Sequence, residues 1–360
     1  MSMARAAKHV IIIGAGPAGL AAAVCLARRK VPYTLLEQGS LVSSALRQVD
    51  PDMILLSPTS LSLMPDMERP PGDSEYLSFG ALVAALEHYQ EKHHVQIVND
   101  AEVVSVAHDG GAFTVHYRGQ DEAEHILKGS HIINATGIIS HPQLPPDFKP
   151  DECSFRWMHS IKARASDLAL ASRVLVVGGG ASAAEVLERW LEVRSEDAHA
   201  WLSIRSSLVA VPHWIFGIDI HYLVWLPEQL PTCLTGWRSG RLHEPMTGLT
   251  VPRAIKKGLI TQVPAVKSYH GDTVTFSNGQ QVRPDLVVFS TGFRYASEHI
   301  GQLVDYDPDK RPLVKNCEST RTRGLYLLGF RFGRTFASPY LRGIARDAQY
   351  VAERIAREGE

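Results

Sequence analysis

The chain opens its patterned region with four consecutive apolar residues, Val10-Ile11-Ile12-Ile13, followed at once by Gly14-Ala15-Gly16-Pro17-Ala18-Gly19 and an Ala- and Leu-rich run. An unbroken apolar run without alternation predicts a strand covered on both faces, as in a parallel sheet. The run after the glycines has helical character, and residues 33–36 predict a second buried strand. The same succession returns later. Residues 173–177 predict a strand, Gly178-Gly179-Gly180-Ala181-Ser182-Ala183 a turn, residues 184–192 a helix, and residues 201–204 the next strand. Between the two copies, Phe79, Leu82, Val83 and Leu86 recur at three and four and predict an amphipathic helix over 76–93. Strands are expected at 95–98 and 131–137. A hairpin is expected at 101–107 and 112–118 around Asp109-Gly110-Gly111, with 125–128 as its partner. A second hairpin is expected at 273–277 and 281–282 around Asn278-Gly279. Residues 286–293 and 324–330 read as strands, and 339–357 as the last helix. Residues 40–75 carry no sustained period and read as an extended loop. Residues 208–250 are irregular, rich in Trp, Pro and Leu, and read as an apolar excursion.

Strand, G-x-G-x-x-G and helix in register are the requirements of a dinucleotide site. Gly14 permits the tight turn, Gly16 lets a pyrophosphate approach the backbone, and Gly19 lets the helix pack on the strand. The helix start offers free N–H groups and a partial positive charge to the phosphates. Glu37 ends the second strand at the spacing, about 20 residues on, where a carboxylate accepts ribose hydroxyls. The second copy, with Gly178, Gly180, Ala181 and Ser182, ends its next strand in Arg205-Ser206-Ser207. A guanidinium and hydroxyls there suit a 2′-phosphate and favour NADPH over NADH. An acid-ended site suits FAD. Together the two sites imply hydride transfer from nicotinamide to flavin.

The expected fold is α/β, with two Rossmann-like dinucleotide-binding domains. The FAD domain is discontinuous, 1–150 and 285–360. The NADPH domain is inserted at 151–284 and carries the excursion at 208–250. A Pro-rich linker at 141–150 joins them. The 360 residues are 45% hydrophobic and carry a net charge of −1, which gives no net field toward nucleic acid or an anionic membrane. No run is long enough to span a membrane and residues 1–9 hold no apolar signal core, so a cytoplasmic location is expected. Cys25, Cys153, Cys233 and Cys317 lie in no metal or dithiol spacing, and no metal site is expected. Small-molecule substrate and O2 are the expected partners, and a homo-oligomer stays open.

At this point the chain resembles the two-dinucleotide-binding-domain flavoproteins. Within them it is similar to the flavin-containing monooxygenase-like (class B) group, including indole-3-pyruvate monooxygenases. The likeness rests on Gly14 to Gly19 with Glu37, Leu55-Leu56-Ser57-Pro58 through Leu63-Met64-Pro65, Ala135-Thr136-Gly137 and His159-Ser160. It continues in Gly178 to Ala183, Arg205-Ser206-Ser207, Pro212 to Gly217, Ser290-Thr291-Gly292-Phe293 and Gly324 to Gly329. The resemblance implies NADPH-driven reduction of FAD, then insertion of one oxygen atom of O2 into a small organic substrate through a C4a-(hydro)peroxyflavin. The flavin does that chemistry, so no side chain is required as acid or base. Ser57, Thr59 and Ser60 are the polar candidates near the ring. Gln38, Arg47, Val104, Thr136, Thr291 and Gly329 join the cofactor set, and His159 is expected to order the interdomain linker. The alternative is an NADPH-dependent flavin or disulfide reductase. The compact reductases of that kind carry a cysteine in the first glycine motif, where this chain has Ala18.

Overall fold

The run Val10–Ile13 is fully enclosed because it lies in the interior of a sheet. The computed structural model describes residues 8–64, 66–69, 75–139, 141–231 and 245–358; Pro65, Cys233 and the excursion between 232 and 244 fall outside them. Tyr33–Leu36 pairs in parallel on one side of the first strand and His131–Asn134 on the other, with Val10 opposite both Tyr33 and His131. Leu325–Leu327 extends the sheet in parallel, and Glu318–Ser319 and Val314–Lys315 close that edge antiparallel. The helix Pro17–Arg28 covers one face. It packs on the C-terminal helix Leu341–Arg357 and shares a core with Leu82, Leu86 and Tyr89 of the helix Phe79–Lys92. That helix is capped by Ser78, whose hydroxyl accepts from the Ala81 amide. A three-stranded antiparallel meander, Glu102–His108, Phe113–Arg118 and Glu124–Gly129, covers the other face.

The second sheet repeats this plan. Arg173–Val177 is flanked in parallel by His199–Ser203 and Leu286–Phe289, with Ile260–Val263 and Arg156–His159 at the edges. The helix Ala181–Val193, with Trp190 fully buried, covers one face. The small sheet Val266–His270, Thr273–Phe276 and Gln281–Val282 covers the other. In both units a meander precedes the strand that returns beside the first.

That repetition corrects the boundary expected at 285. Leu286–Phe289 bonds to Arg173–Val177, so it closes the second sheet, as His131–Asn134 does in the first. The chain returns to the first unit only after Gly292, where Phe293–Arg294 pairs antiparallel with His141–Pro142. The outgoing and returning linkers thus lie side by side. The strand expected at 95–98 shrinks to one bridge, Leu36 to Val98. The excursion holds a helix, Ile220–Glu228, started by Asp219. Among the described residues no helix is long and apolar enough to cross a membrane.

Candidate functional site

Parallel strands deliver their C-terminal ends to one edge, where open α/β sheets hold their ligands. A cavity of about 960 Å³ opens there. Gly14, Gly16, Pro17 and Ala18 line it from the first glycine turn, and Glu37 and Gln38 from the end of the second strand. Val104, Ala135, Thr136, Gly137, Gly329 and Ser57 line it from the rest of the first unit. Ala181 and Glu185 line it from the second unit's helix, and Ile220, His221, Val224 and Glu228 from the excursion.

The three glycines of the first turn differ in what surrounds them. A Cβ on Gly14, at φ +98°, would stand 2.8 Å from the Ala135 carbonyl oxygen, and one on Gly19 would stand 1.9 Å from that of Gly14. A Cβ on Gly16 would meet nothing within 4 Å. Gly16 therefore fronts open space, at the start of a helix with no side-chain cap. Uncapped first-turn amides beside that space suit a pyrophosphate. Glu37 is buried and fully oriented. One oxygen accepts from the Ala15 amide at 2.7 Å; the other accepts from the Gly39 amide at 3.0 Å and the Ser44 hydroxyl at 2.6 Å. The residues present fit FAD.

Not every expected residue reaches the cavity. Ala15 and Gly19 are buried behind its wall. Arg47 is drawn elsewhere: its guanidinium pairs with Glu87 and its Nε donates to the Val42 carbonyl at 2.9 Å. A long cation follows the nearest carboxylate, here on the helix Phe79–Lys92. Thr59 is buried, and the Ser60 hydroxyl lies 2.7 Å from that of Tyr222, tying the one-turn helix Thr59–Ser62, inside the stretch expected as a loop, to the excursion helix. Gly178 packs against the Ser290 carbonyl, where a Cβ would stand 2.1 Å away. Gly180 and Ser182 flank the second turn, and Arg205 and Ser206 are exposed just past His199–Ser203. None of these lines the cavity, though Ala181 does. Thr291 and Gly292 belong to the linkers: Thr291 Oγ1 donates to Gln143, and the Gly292 carbonyl accepts from His159 Nε2 at 3.0 Å. His159 Nδ1 accepts from the Ile161 amide, and burial holds the imidazole below its ordinary pKa. It clasps the linker as a neutral ring. Arg331 lines the cavity, whereas Arg334 donates to Asp347 at 3.2 Å.

Several lining groups were not singled out from the sequence, His299, His221 and Arg342 among them. His299 lies 3.0 Å from Asn134 Oδ1, and burial drives its pKa down to about 4. His221 is oriented by Asp219, which receives its amide at 2.7 Å and its Nδ1 at 2.8 Å. Asp219 also takes Tyr76 and, at 3.0 Å, His213. Burial keeps His221 below its ordinary pKa against the pull of Asp219. His213, Asp219 and His221 form a trio with metal-ligand spacing among the described residues, and each is engaged in these hydrogen bonds. Arg342 is paired with Glu228. Asp219 immediately before an apolar run is a helix-start signal that could have revealed this wall.

Residues 11–209, more than half of the chain, match the family described as pyridine nucleotide-disulphide oxidoreductase. Indole-3-pyruvate monooxygenase YUCCA1 of Oryza sativa subsp. japonica is 30% identical over 96% of this chain and 90% of its own length. An uncharacterised CzcO-like oxidoreductase of Geobacillus kaustophilus is 25% identical over 96% and 97%. The flavin-containing monooxygenase of Stenotrophomonas maltophilia superposes at a TM-score of 0.77, with 21% identity over 98% of this chain and all of that one. The bacillithiol disulfide reductase of Bacillus cereus has the same fold at 0.73 and 19% identity over 97% and 98%, so fold alone does not separate oxygenase from reductase. The relative at 30% identity does separate them: the chain belongs to the pyridine nucleotide-disulphide oxidoreductase family and, within it, to the flavin monooxygenases that use FAD and NADPH.

Proposed function

We propose that FAD lies in the cavity with its adenosine ribose on Glu37 and its pyrophosphate over Gly16 at the start of Pro17–Arg28. Ala135, Thr136, Gly137, Ser57 and Gly329 would then hold the ring. NADPH docks on Gly178, Gly180 and Ser182, with Arg205 and Ser206 on its 2′-phosphate. The observation that carries this reading is one cavity lined both by the first glycine turn and by Ala181 and Glu185 of the second unit's helix. Bound FAD supplies a hydride acceptor and the means to activate dioxygen. The chain supplies orientation and a dry wall: Leu55, Leu56, Ile220, Val224 and Leu341 keep water from the reacting space. One oxygen atom goes to a small organic substrate. The other leaves as water with the hydride of NADPH and a proton. The relatives' name makes indole-3-pyruvate the first 2-oxo acid to try. Free Cys25, Cys153 and Cys317 suit a reducing compartment, and we place the enzyme in the cytoplasm.

The test is single turnover of the NADPH-reduced holoenzyme with isotopically labelled dioxygen, offered indole-3-pyruvate, methyl phenyl sulfide or benzylamine. One labelled atom in the organic product is the expected result. NADPH consumption that yields only hydrogen peroxide with every compound would overturn the oxygen-transfer reading.

A further inference from the structure

Arg342 stands in the first turn of the C-terminal helix and lines the cavity, yet its side chain is only 7% exposed. Its Nε and Nη2 donate to the two oxygens of Glu228 at 2.6 and 2.8 Å, and Glu228 is equally enclosed. The guanidinium carbon lies 4.3 Å over the centre of the Tyr340 ring, which fixes the plane of the fork. These contacts use one edge of it. The other nitrogen, Nη1, has no hydrogen-bond partner among the described residues. Nη1 is not among the sealed, unpartnered atoms of the described residues, and its residue lines the cavity. A rigid, charge-balanced guanidinium with free N–H donors in a low-dielectric pocket calls for an acceptor. Glu228 sets which kind: a dianion would be repelled by the adjacent carboxylate, while a planar monoanion can share the fork.

We propose that Arg342 Nη1, braced by Glu228, anchors a carboxylate of the substrate, with Ile220, Val224, Pro339 and Leu341 taking its apolar body. This rests on the reading of the cavity as the oxygenation site. Arg342 thereby determines specificity, selecting organic acids over neutral molecules of the same shape.

The experiment is calorimetric titration of the FAD-loaded protein with phenylacetate, an unreactive carboxylate with an aromatic body, and with its neutral analogue phenylacetamide. Phenylacetate should bind and phenylacetamide should bind at least tenfold more weakly. Arg342→Lys keeps a cation opposite Glu228 but has no second arm for the ligand, and should weaken phenylacetate at least tenfold. The double variant Arg342→Met/Glu228→Met leaves no orphaned charge in the wall, so it guards against a folding defect. It should lose phenylacetate equally, with retained FAD reporting an intact fold. Absence of phenylacetate binding to the parent protein would overturn the proposal, as would equal affinity in parent and double variant. If labelled oxygen reaches no compound while Arg342-dependent binding stands, the oxygen-transfer reading fails and the carboxylate subsite does not.

Discussion

His299 is kept neutral in the folded protein down to about pH 4, whereas the same imidazole in the unfolded chain titrates near 6.5. As pH falls below about 6.5 the unfolded state takes up the proton first. The stability that depends on His299 is therefore complete above about 6.5 and is lost on the way down to about 4, with a loss of about 2 kcal/mol by about pH 5. Burial lowers His159 and His221 as well, so both act in the same direction. Denaturant unfolding at about pH 7.5 and about pH 5 should show the fall, and His299→Gln, which can still donate to Asn134, should flatten it. Glu37 offers a second test. Its two oxygens face three donors, so Glu37→Gln must turn an amide N–H₂ toward at least one of them. FAD should dissociate about tenfold more readily, an effect of about 1.4 kcal/mol, measured as flavin fluorescence released on dilution. Glu37 is legible in the sequence because its strand and spacing announce it. His299 is not, because the group that gives it meaning, Asn134, arrives from a distant segment; Asp219 announces its helix, but not the Tyr76 hydroxyl it also receives.

The strand, turn and helix at the start of the chain separate folding from binding. Gly19→Ala would drive a methyl into the Gly14 carbonyl. It should cost about 2–3 kcal/mol of stability or abolish soluble expression. Gly16 has φ −77° and ψ −172°, open to any residue, and empty space before it. Gly16→Ala should therefore melt within about 0.5 kcal/mol of the parent in the cofactor-free form and yet hold FAD poorly. A parallel loss of fold in both variants would remove this distinction. Elements with their own local signal, such as Val10–Ile13, Phe79–Lys92 and the meander around Asp109-Gly110, were readable from periodicity and turn chemistry. Arg156–His159 and Ile260–Val263 were not. They are edge strands whose pairing is settled by the sheet they join. Arg47 misled because a basic loop residue says nothing about which acid will capture it.

At the scale of the molecule, two copies of one plan were visible in the repeated glycine turns, but the point of return was not. The last strand of the second unit runs on into the linker as Leu286-Val287-Val288-Phe289-Ser290-Thr291-Gly292-Phe293, which reads as one strand, and only pairing with Arg173–Val177 on one side and His141–Pro142 on the other divides them. The large cavity implies that cofactor and fold are thermodynamically linked. FAD at about 100 times its Kd should add about 2.7 kcal/mol of stability, seen as a melting temperature that climbs with FAD concentration in the parent and much less in Gly16→Ala. A further consequence follows from the pairing of Glu228 with Arg342. One residue comes from the chain inserted as the second unit, the other from the last helix of the first. Neither charge can be lost alone without leaving its partner stranded in the wall. The two halves are therefore bound in descent as well as in space. Across homologous sequences, positions 228 and 342 should change together, both becoming apolar or exchanging sign, while an exposed pair such as Lys149 and Glu152 drifts one residue at a time.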